Sequence, residues 1–507
     1  MDSRTQPSPA VAPVQPRFYW ALGVLVAVFG AVRFAGLFND LWLDEIWSLR
    51  LVQQLHSPAE ILTRLWHDNN HPLNSLWLYL VMPAQADWIY RLLSWFTGTA
   101  TVGLAGLIAR RQFQQLQPEA SPGKAQAAGL ITAAVIGGSY FLIHYSSEAR
   151  GYAPAVGFGF LAVYALLHAP DRPASGWAVV YGLACVLGLL SHLVAFQVML
   201  GGLVWSVATL RTWAGWRDRF VHLVCWHLVP WAFLGFYYLG FVRHVEIGGG
   251  PQLALSNVLG TLAAFSLGFP SGMGVLVALP VFLGAALFAL GLIWRRDRAV
   301  FGFYLAAIFI APALGLCSSR FVLLYPRYFI VSAALALLLV SYVLARLCFS
   351  EGMGLIGPMG RMGRMIGAVL LAGFLVGNGV HAARLLRDGR GQYQAALRYI
   401  AERTPTGTIT VSSDSDFRNF GVMDYYKSAV GPGHTLQYCA GNQLPPDGPQ
   451  WVFLHRLDDS VPPPADSLFI ANAWHYQLVR VFPHAPLSGW EWFVYRNLDP
   501  AVLPAAP

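Results

Sequence analysis

Residues 18–38 read FYWALGVLVAVFGAVRFAGLF, an apolar run that is long enough to cross a lipid bilayer as one helix, since a span needs roughly 20 such residues. Similar runs recur along the chain and predict about eleven transmembrane helices. Residues 253–269 could form a twelfth span, but their Ser, Asn and Gly favour an interfacial helix. The expected spans are residues 18–38, 89–109, 125–145, 152–169, 176–192, 194–210, 220–242, 272–294, 299–317, 327–347 and 365–383.

The composition of the 507 residues also indicates a membrane protein. Only 11% are charged and 56% are hydrophobic, whereas soluble domains carry about 25% charged residues. The net charge of +8 forms no basic stripe, which argues against a nucleic-acid partner. The five cysteines lie far apart without a CxxC pair, so neither a disulfide framework nor a zinc site is expected.

The positions of Lys and Arg predict the orientation of the spans, because cytoplasmic loops carry an excess of both residues. We place residues 1–17, with Arg4 and Arg17, in the cytoplasm as an N-terminal tail. Every inner loop then carries Arg or Lys, including Arg172 in the loop after the fourth span. An odd number of spans puts the C-terminal segment on the outer side. Residues 18–383 are expected to form the transmembrane module.

Two segments are expected on the outer side. The first loop, residues 39–90, has apolar residues at helical spacing, which predicts amphipathic helices lying on the membrane. Residues 384–507 are richer in polar residues and proline, and they predict a small α/β domain. In this domain we expect one helix from Gln392 to Arg403 and three strands, at residues 408–412, 451–454 and 492–496.

Asp44 and Glu45 follow the first span directly. A carboxylate there can take the proton of a hydroxyl as a general base, and an adjacent acid can tune or orient it. The alternative is an ordinary acidic pair beside the membrane. A divalent cation, Mg²⁺ or Mn²⁺, held by the two carboxylates is a further alternative, so metal dependence stays open. A metal site at His67, Asp68 and His71 would match no standard motif.

Further ionisable residues lie at outer boundaries, where they are candidates for function. His71 precedes a proline that suits a helix start, a natural anion site, or simply a capping turn. Glu148 and Arg150 form either a functional pair or a structural pair between two helices. Arg327 can hold a phosphate with its planar guanidinium, or only extend to the membrane surface. His192 by itself is more typical of a satisfied interfacial histidine.

The orientation rule places these residues on one face of the membrane, although they come from five separate segments. Transfer from a lipid phosphate requires such a set, with a base for the acceptor and cations for the leaving phosphate. A nucleotide donor is not expected, because the sequence has neither a Walker-type loop nor a strand-anchored G-x-G-x-x-G. The residues in question are Asp44, Glu45, His71, Glu148, Arg150, His192 and Arg327.

Four outer motifs carry a resemblance to a known family. In order and spacing they resemble the bacterial GT-C glycosyltransferases, in the branch related to protein O-mannosyltransferases and to the lipid A aminoarabinose transferase. The resemblance covers residues 18–383, and the chain departs from the family at Leu73, where a second proline is common. The motifs are Leu43-Asp44-Glu45, Asn70-His71-Pro72-Leu73, Ser147-Glu148-Ala149-Arg150-Gly151-Tyr152 and Pro326-Arg327-Tyr328.

The resemblance implies a GT-C fold and a glycosyltransferase in the bacterial inner membrane, with its C-terminal domain in the periplasm. Its donor would be a polyprenyl-phosphate-linked monosaccharide, transferred with inversion to a glycan, lipid or protein acceptor. Asp44 would be the catalytic carboxylate and Glu45 its partner. The residues expected to bind the donor phosphate or sugar are His71, Glu148, Arg150, Tyr152, His192, Arg327 and Tyr328.

Three alternatives stay open. A transporter or lipid flippase is disfavoured, because the sequence shows no internal repeat and its ionisable residues gather at one boundary rather than at mid-membrane. A non-catalytic scaffold would tolerate substitution of Asp44 and Arg327. A ligase that moves whole glycan chains from a pyrophosphate carrier is not excluded by motifs this short.

Overall fold

The computed structural model describes residues 15–169, 176–211, 215–250, 252–317, 323–349, 358–457, 461–470 and 474–498. Arg4, Arg172 and most of the expected tail at 1–17 lie outside the described residues. The described residues fall into two compact units. Unit 1 is drawn from Met1–Phe34, Trp66–Asn74 and Leu93–Val380, and unit 2 from Ala35–Leu65, Ser75–Leu92 and His381–Pro507.

The described residues form nineteen α-helices and one six-stranded sheet. The helices are α1 (Pro16–Ala35), α2 (Leu43–Gln53), α3 (Glu60–Thr63), α4 (Pro72–Val81), α5 (Leu92–Leu116), α6 (Pro122–Gly138), α7 (Tyr140–Ser146), α8 (Tyr152–Leu166), α9 (Gly176–Ser191), α10 (Phe196–Leu210), α11 (Trp216–Gly240), α12 (Leu255–Leu267), α13 (Leu279–Trp294), α14 (Arg298–Leu305), α15 (Ala311–Leu316), α16 (Ile330–Cys348), α17 (Pro358–Asp388), α18 (Tyr393–Ala401) and α19 (Gly421–Tyr425). The strands are β1 (Gly407–Ser413), β2 (His434–Tyr438), β3 (Trp451–Arg456), β4 (Ser467–Ile470), β5 (Trp474–Phe482) and β6 (Glu491–Asn497).

The chain is a multi-pass membrane protein. Within the described residues, 8 helical segments have the length and apolarity of a membrane span, and 9 do if the bent pair α6 and α7 forms one. Two further expected spans correspond to α8 and α9, apolar helices of 15 and 16 residues. The segments of sufficient length are Pro16–Phe38, Asp87–Leu116, Leu193–Leu210, Trp216–His244, Ser271–Trp294, Arg298–Leu316, Pro326–Cys348 and Arg361–Ala401.

A bend of 61° separates α6 from α7 inside unit 1. The break leaves helix-end carbonyls that need partners in a medium without water. The buried Arg33 supplies them, since its guanidinium donates to the carbonyl oxygens of Gly137 at 2.8 Å and Ile136 at 3.2 Å. The side-chain oxygen of Asn378 accepts the backbone N–H of Tyr140 at 2.7 Å, at the start of α7. The one continuous span expected at 125–145 is therefore two helices.

The helix expected at 253–269 is α12, and its second half is buried in unit 1. Residues from Leu262 to Leu267 are all buried, and the ring of Phe265 packs on that of Tyr140 with centroids 5.6 Å apart. A helix that only lay on the membrane surface would leave one face open, whereas this half of α12 packs against unit 1 on all sides. The interfacial placement stays a prediction.

Unit 2 combines helices of the first loop with the C-terminal sheet. The strand order is β2-β1-β3-β6-β5-β4, with β1 parallel to β2 and β3 and the other pairs antiparallel. The three expected strands correspond to β1, β3 and β6, and the expected helix at 392–403 corresponds to α18. The all-α membrane module with a small C-terminal α/β domain is confirmed.

Helix α2 is anchored to the α/β part of unit 2. The guanidinium of Arg50 bonds to the carboxylate of Asp424 at 2.7 Å and to the carbonyl oxygen of Gly421 at 3.1 Å. The phenol oxygen of Tyr426 accepts the backbone N–H of Leu41 at 2.5 Å. The residues before α2 and the last part of α2 are thereby both bonded to α19 and the residue that follows it.

Candidate functional site

Several turns of unit 1 bring four basic side chains together. We call His71, Arg150, His192 and Arg327 the cationic cluster. His71 immediately precedes α4, Arg150 lies in the turn between α7 and α8, His192 follows α9, and Arg327 lies in the helical turn Pro326–Phe329 before α16. Each side chain therefore stands at a helix end. Residues 318–322, shortly before Arg327, lie outside the described residues.

Aromatic rings hold the two histidines of the cluster. The rings of His71 and His192 stack with centroids 5.0 Å apart and an interplanar angle of 30°. The ring of Tyr152 lies 5.3 Å from that of His71 and 5.0 Å from that of His192. Tyr328 adds a ring 6.1 Å from His192. Both tyrosines predicted for donor binding thus contact the cluster.

The two arginines are oriented by polar and aromatic neighbours. Arg150 donates to the side-chain oxygen of Asn69, and its guanidinium lies 5.6 Å from the ring centre of Tyr152. The guanidinium of Arg327 lies 4.3 Å from the ring centre of Tyr325. Contacts of this kind restrict the side chain.

The turn that carries Glu148 and Arg150 has little freedom. The side-chain amide of Asn74 donates to the backbone oxygen of Ala149 at 2.9 Å. The hydroxyl of Ser94 donates to the backbone oxygen of Arg150 at 2.9 Å. A Cβ at Gly151 would overlap the carbonyl oxygen of Ser191, so only glycine fits there. The turn is therefore locked between α4, α5 and the end of α9. Glu148, on the same turn, is fully buried.

Electrostatics within the cluster favour an anion. The pKa of His71 is well below its usual 6.5, because the ring is buried and because Arg150, His192 and Arg327 repel a proton. Burial, together with Arg150 and Arg327, lowers the pKa of His192 to about 3. Both rings are therefore neutral near pH 7, and a bound anion would offset the repulsion.

The surroundings of the ring nitrogens indicate which nitrogen of each histidine faces a hydrogen-bond partner. The Nδ1 of His192 accepts the backbone N–H of Val194 at 3.2 Å, so its neutral ring carries the proton on Nε2. The Nε2 of His71 is buried without a hydrogen-bond partner among the described residues. A buried ring nitrogen without a partner is costly, which points to a ligand or water at this place.

Glu45 lies in unit 2 and is fully engaged. Both of its carboxylate oxygens are bound by Arg91, with Nε to Oε1 at 2.7 Å and Nη2 to Oε2 at 2.6 Å. The backbone N–H of Trp42 donates to Oε2 at 3.2 Å. Arg91 also donates to the backbone oxygens of Leu37 and Asn39, at 2.8 and 2.6 Å. Glu45 thus joins the first turn of α2 to the end of the first span.

Asp44 is the second residue of α2 and is partly exposed. The hydroxyl of Ser48, four residues later on the helix, donates to the backbone oxygen of Asp44 at 2.9 Å. Glu45, on the buried side of the same turn, fixes the backbone that carries the Asp44 carboxylate. Asp44 therefore has the exposure and the rigid support that a general base needs, and its catalytic role stays a prediction.

The donor set does not fit a divalent cation at Asp44 and Glu45. Both oxygens of Glu45 already accept charged or backbone donors, which leaves Asp44 as the sole carboxylate of the pair to ligate an ion. In the part of the chain that the structure describes, no group of three or more His, Cys, Asp or Glu side chains could hold a metal ion.

The sequence does not predict a role for two residues of these sites. Arg91 stood inside an expected span, where a charged residue is itself a signal of function or of a partner. Asn69 lay in the motif of His71 without a role of its own. In contrast, the predicted residues His71, Arg150, Tyr152, His192, Arg327 and Tyr328 lie together in unit 1, while Asp44 and Glu45 belong to unit 2.

Comparison with known proteins supports the fold. No protein-family model and no curated protein matches the sequence. The crystal structure of apo ArnT from Cupriavidus metallidurans is similar with a TM-score of 0.51 at 14% identity, over 97% of this chain and 100% of that one. ArnT is the lipid A aminoarabinose transferase, so the expected likeness to the GT-C class is confirmed at the level of the fold.

Two further solved structures are similar at lower scores. ArnT from Cupriavidus metallidurans bound to undecaprenyl phosphate gives a TM-score of 0.47 at 15% identity, over 96% of this chain and 99% of that one. The oligosaccharyltransferase of Archaeoglobus fulgidus, in complex with Zn and sulfate, gives 0.45 at 13% identity, over 85% of this chain and 67% of that one.

Proposed function

We propose that the protein is a membrane glycosyltransferase that moves a monosaccharide from a polyprenyl-phosphate donor to an acceptor hydroxyl. The observation that carries the proposal is the cationic cluster, in which two arginines and two neutral histidines lie together and the Nε2 of His71 is buried without a partner among the described residues. Such a set of donors suits a phosphate that gains charge as its bond to the sugar breaks. A lipid carrier fits because the cluster belongs to a multi-pass membrane module.

In the proposed reaction, the acceptor oxygen attacks the anomeric carbon of the donor sugar and forms the new glycosidic bond. The bond between that carbon and the phosphate oxygen breaks, and its electron pair stays on the polyprenyl phosphate. The proton of the acceptor hydroxyl goes to the carboxylate of Asp44. Direct attack by the acceptor inverts the anomeric configuration.

The residues of the cluster and their neighbours have the following parts in this proposal. Arg150 and Arg327 neutralise the phosphate, since guanidinium groups bind its oxygens in two-point contacts. His71 and His192 each donate one ring N–H, and the anion raises their pKa values above those of the empty cluster. Glu148 and Tyr152 contact the donor sugar, and Tyr328 supports Arg327. Glu45 holds Asp44 in place through Arg91.

The test is a transfer assay with the purified protein and a panel of polyprenyl-phosphate monosaccharides. The acceptors are lipid, glycan and peptide fractions from cells that lack the gene. Asp44→Asn keeps the size of the side chain but replaces the basic oxygen with an amide nitrogen, so we expect a loss of at least about 100-fold in turnover. Asp466→Asn, at an exposed position before β4, is the matched control and is expected to transfer at the wild-type rate.

Near-normal turnover by folded Asp44→Asn protein would remove Asp44 from the base role. Retained configuration at the anomeric carbon of the product would contradict direct attack. Transfer of whole glycan chains from a pyrophosphate carrier, without transfer of single sugars, would favour the ligase alternative.

A further inference from the structure

The carboxyl ends of three parallel strands meet at one edge of the sheet in unit 2. β1 is parallel to both β2 and β3, so these strands end on the same side, at Ser413, Tyr438 and Arg456. In open sheets with parallel strands, ligands bind beyond the carboxyl ends. The mechanism proposed above leaves this edge without a role.

Polar groups at this edge form a connected set. The hydroxyl of Tyr438 donates to the carboxylate of Asp416 at 2.8 Å and lies 2.6 Å from the hydroxyl of Ser413. The backbone N–H of Gly441 donates to the other carboxylate oxygen of Asp416 at 3.2 Å. The side chain of Asp416 is exposed, so its remaining acceptor capacity faces water.

Two exposed phenylalanines accompany the carboxylate. Phe417 is 63% exposed and Phe420 is 47% exposed, and they are the large exposed aromatic residues in the described part of residues 389–498. The ring of Phe420 packs on that of Tyr438, with centroids 5.3 Å apart. Exposed rings beside polar groups on a water-facing domain mark an interaction site.

The same surface extends to the helix that carries Asp44. The ring of Trp47 lies 4.9 Å from that of Phe417, and Trp47 follows Asp44 by three residues on α2. Residues three apart lie on one face of a helix. Arg50 on α2 also binds Asp424, and the surface from Phe420 through Phe417 and Trp47 to Asp44 lies within unit 2.

We propose that this surface binds the acceptor, and that the acceptor is a carbohydrate. The inference rests on the proposed function and names the acceptor class for it. A sugar ring offers C–H groups to an aromatic face and hydroxyls to neighbouring polar groups. The rings are those of Phe417, Phe420 and Trp47. The carboxylate of Asp416 can accept hydrogen bonds from sugar hydroxyls, and the hydroxyl of Tyr438 can donate or accept them. The combination of an apolar lining and a few convergent polar groups is typical of small-ligand sites.

Other acceptor classes fit the surface less well. A lipid chain would need a continuous apolar groove, whereas the phenylalanines stand beside a carboxylate and a network of hydroxyls. An extended peptide would pair along an open strand edge such as β2, whereas Asp416, Phe417 and Phe420 lie in the segment that follows β1, beyond the strand ends. A neutral polyhydroxyl ligand matches both the rings and the alternation of donors and acceptors.

The experiment measures binding directly by saturation-transfer-difference NMR on the full-length protein, in a detergent without a sugar headgroup. The probes are tetrasaccharides of glucose, galactose, mannose and rhamnose, a serine-containing tetrapeptide and a short-chain phospholipid. The variants are Phe417→Ala, Phe420→Ala and Asp416→Asn. The matched controls are Val479→Ala, at an exposed apolar position of β5, and Asp466→Asn.

We expect saturation transfer to at least one tetrasaccharide, lowered by about fivefold or more in the three variants and unchanged in the controls. A wild-type protein that binds no tetrasaccharide would overturn the inference. Equal tetrasaccharide binding in wild type and variants would overturn it too, as would variants that lose the peptide or the phospholipid instead. Binding is measured without a donor and transfer with one, so a failed transfer assay and a failed binding assay remain distinguishable.

Discussion

Arg91 holds both carboxylate oxygens of Glu45 through two bonds, at 2.7 and 2.6 Å, although 46 residues separate them in sequence. Both side chains are fully buried, so neither charge is compensated by water. The pair ties the turn before α2 to the end of the first span through the backbone oxygens that Arg91 also binds. The position of Asp44 depends on this arrangement.

Breaking the pair from one side is predicted to destabilise the protein. Glu45→Gln leaves the guanidinium of Arg91 buried without its counter-charge, which costs about 3–5 kcal/mol. A thermal melt of the purified protein should show a markedly lower midpoint. Glu119→Gln, which removes an exposed partner of Arg296, should change stability by less than about 1 kcal/mol.

The double variant Glu45→Leu with Arg91→Met distinguishes the cost of an unpaired buried charge from the loss of the anchor that positions Asp44. Removing both charges should recover most of the lost stability, while transfer should stay low because the anchor of Asp44 is gone. A double variant with wild-type turnover would show that the pair has no positioning role.

Donor binding is predicted to become tighter as the pH falls. The pKa of His71 is well below 6.5 in the empty cluster, and a bound phosphate raises it. The affinity therefore increases as the pH falls through the pKa of the bound state, and it levels off below that of the empty state. The donor phosphate is a diester with one charge throughout pH 5–8, so its own titration does not interfere.

The measurement is the Kd of a polyprenyl-phosphate monosaccharide between about pH 5 and 8. His71→Gln should bind more weakly, with a flatter pH profile, whereas His56→Gln, at an exposed position of the first loop, should follow the wild type. A His71→Gln profile identical to that of the wild type would exclude a contact between His71 and the phosphate.

Glycine at position 151 is predicted to be essential for the geometry of the cluster. The Cβ of Gly151→Ala would overlap the carbonyl oxygen of Ser191 and displace Arg150, and a shift of about 1 Å at a catalytic group can cost about 100-fold in rate. Gly284→Ala, on α13 with open space around it, should retain full activity. Equal transfer rates for the two variants would show that the turn tolerates the shift.

The order of the outer motifs was sufficient to predict much of the cationic cluster. His71, Arg150 and Arg327 each lie at a helix end, and the boundaries between apolar and polar sequence mark such ends. The partner of Glu45 was not predicted, because a contact across 46 residues leaves no spacing pattern. Arg91 was nevertheless visible as a charge within an expected span, which calls for a partner or a function.

In the fold, too, features set by the local sequence are predicted, and features set by residues distant in sequence are not. The strands β1, β3 and β6 have apolar, strand-forming sequences and were predicted. The strands β2, β4 and β5 lie at or near the sheet edges, where weaker apolar patterning is sufficient, and they were missed. The break between α6 and α7 was also missed, because Arg33 and Asn378, which bind the broken ends, are distant in sequence.

The most direct test of a lipid-phosphate site is the affinity of the purified protein for undecaprenyl phosphate. Arg150→Gln and Arg327→Gln each remove a charged donor, so we expect Kd to rise by about 10- to 100-fold, the equivalent of one charge-assisted hydrogen bond. Arg403→Gln, on an exposed arginine beyond α18, should leave Kd unchanged. Wild-type affinity in both cluster variants would contradict the assignment of the cationic cluster to the donor phosphate.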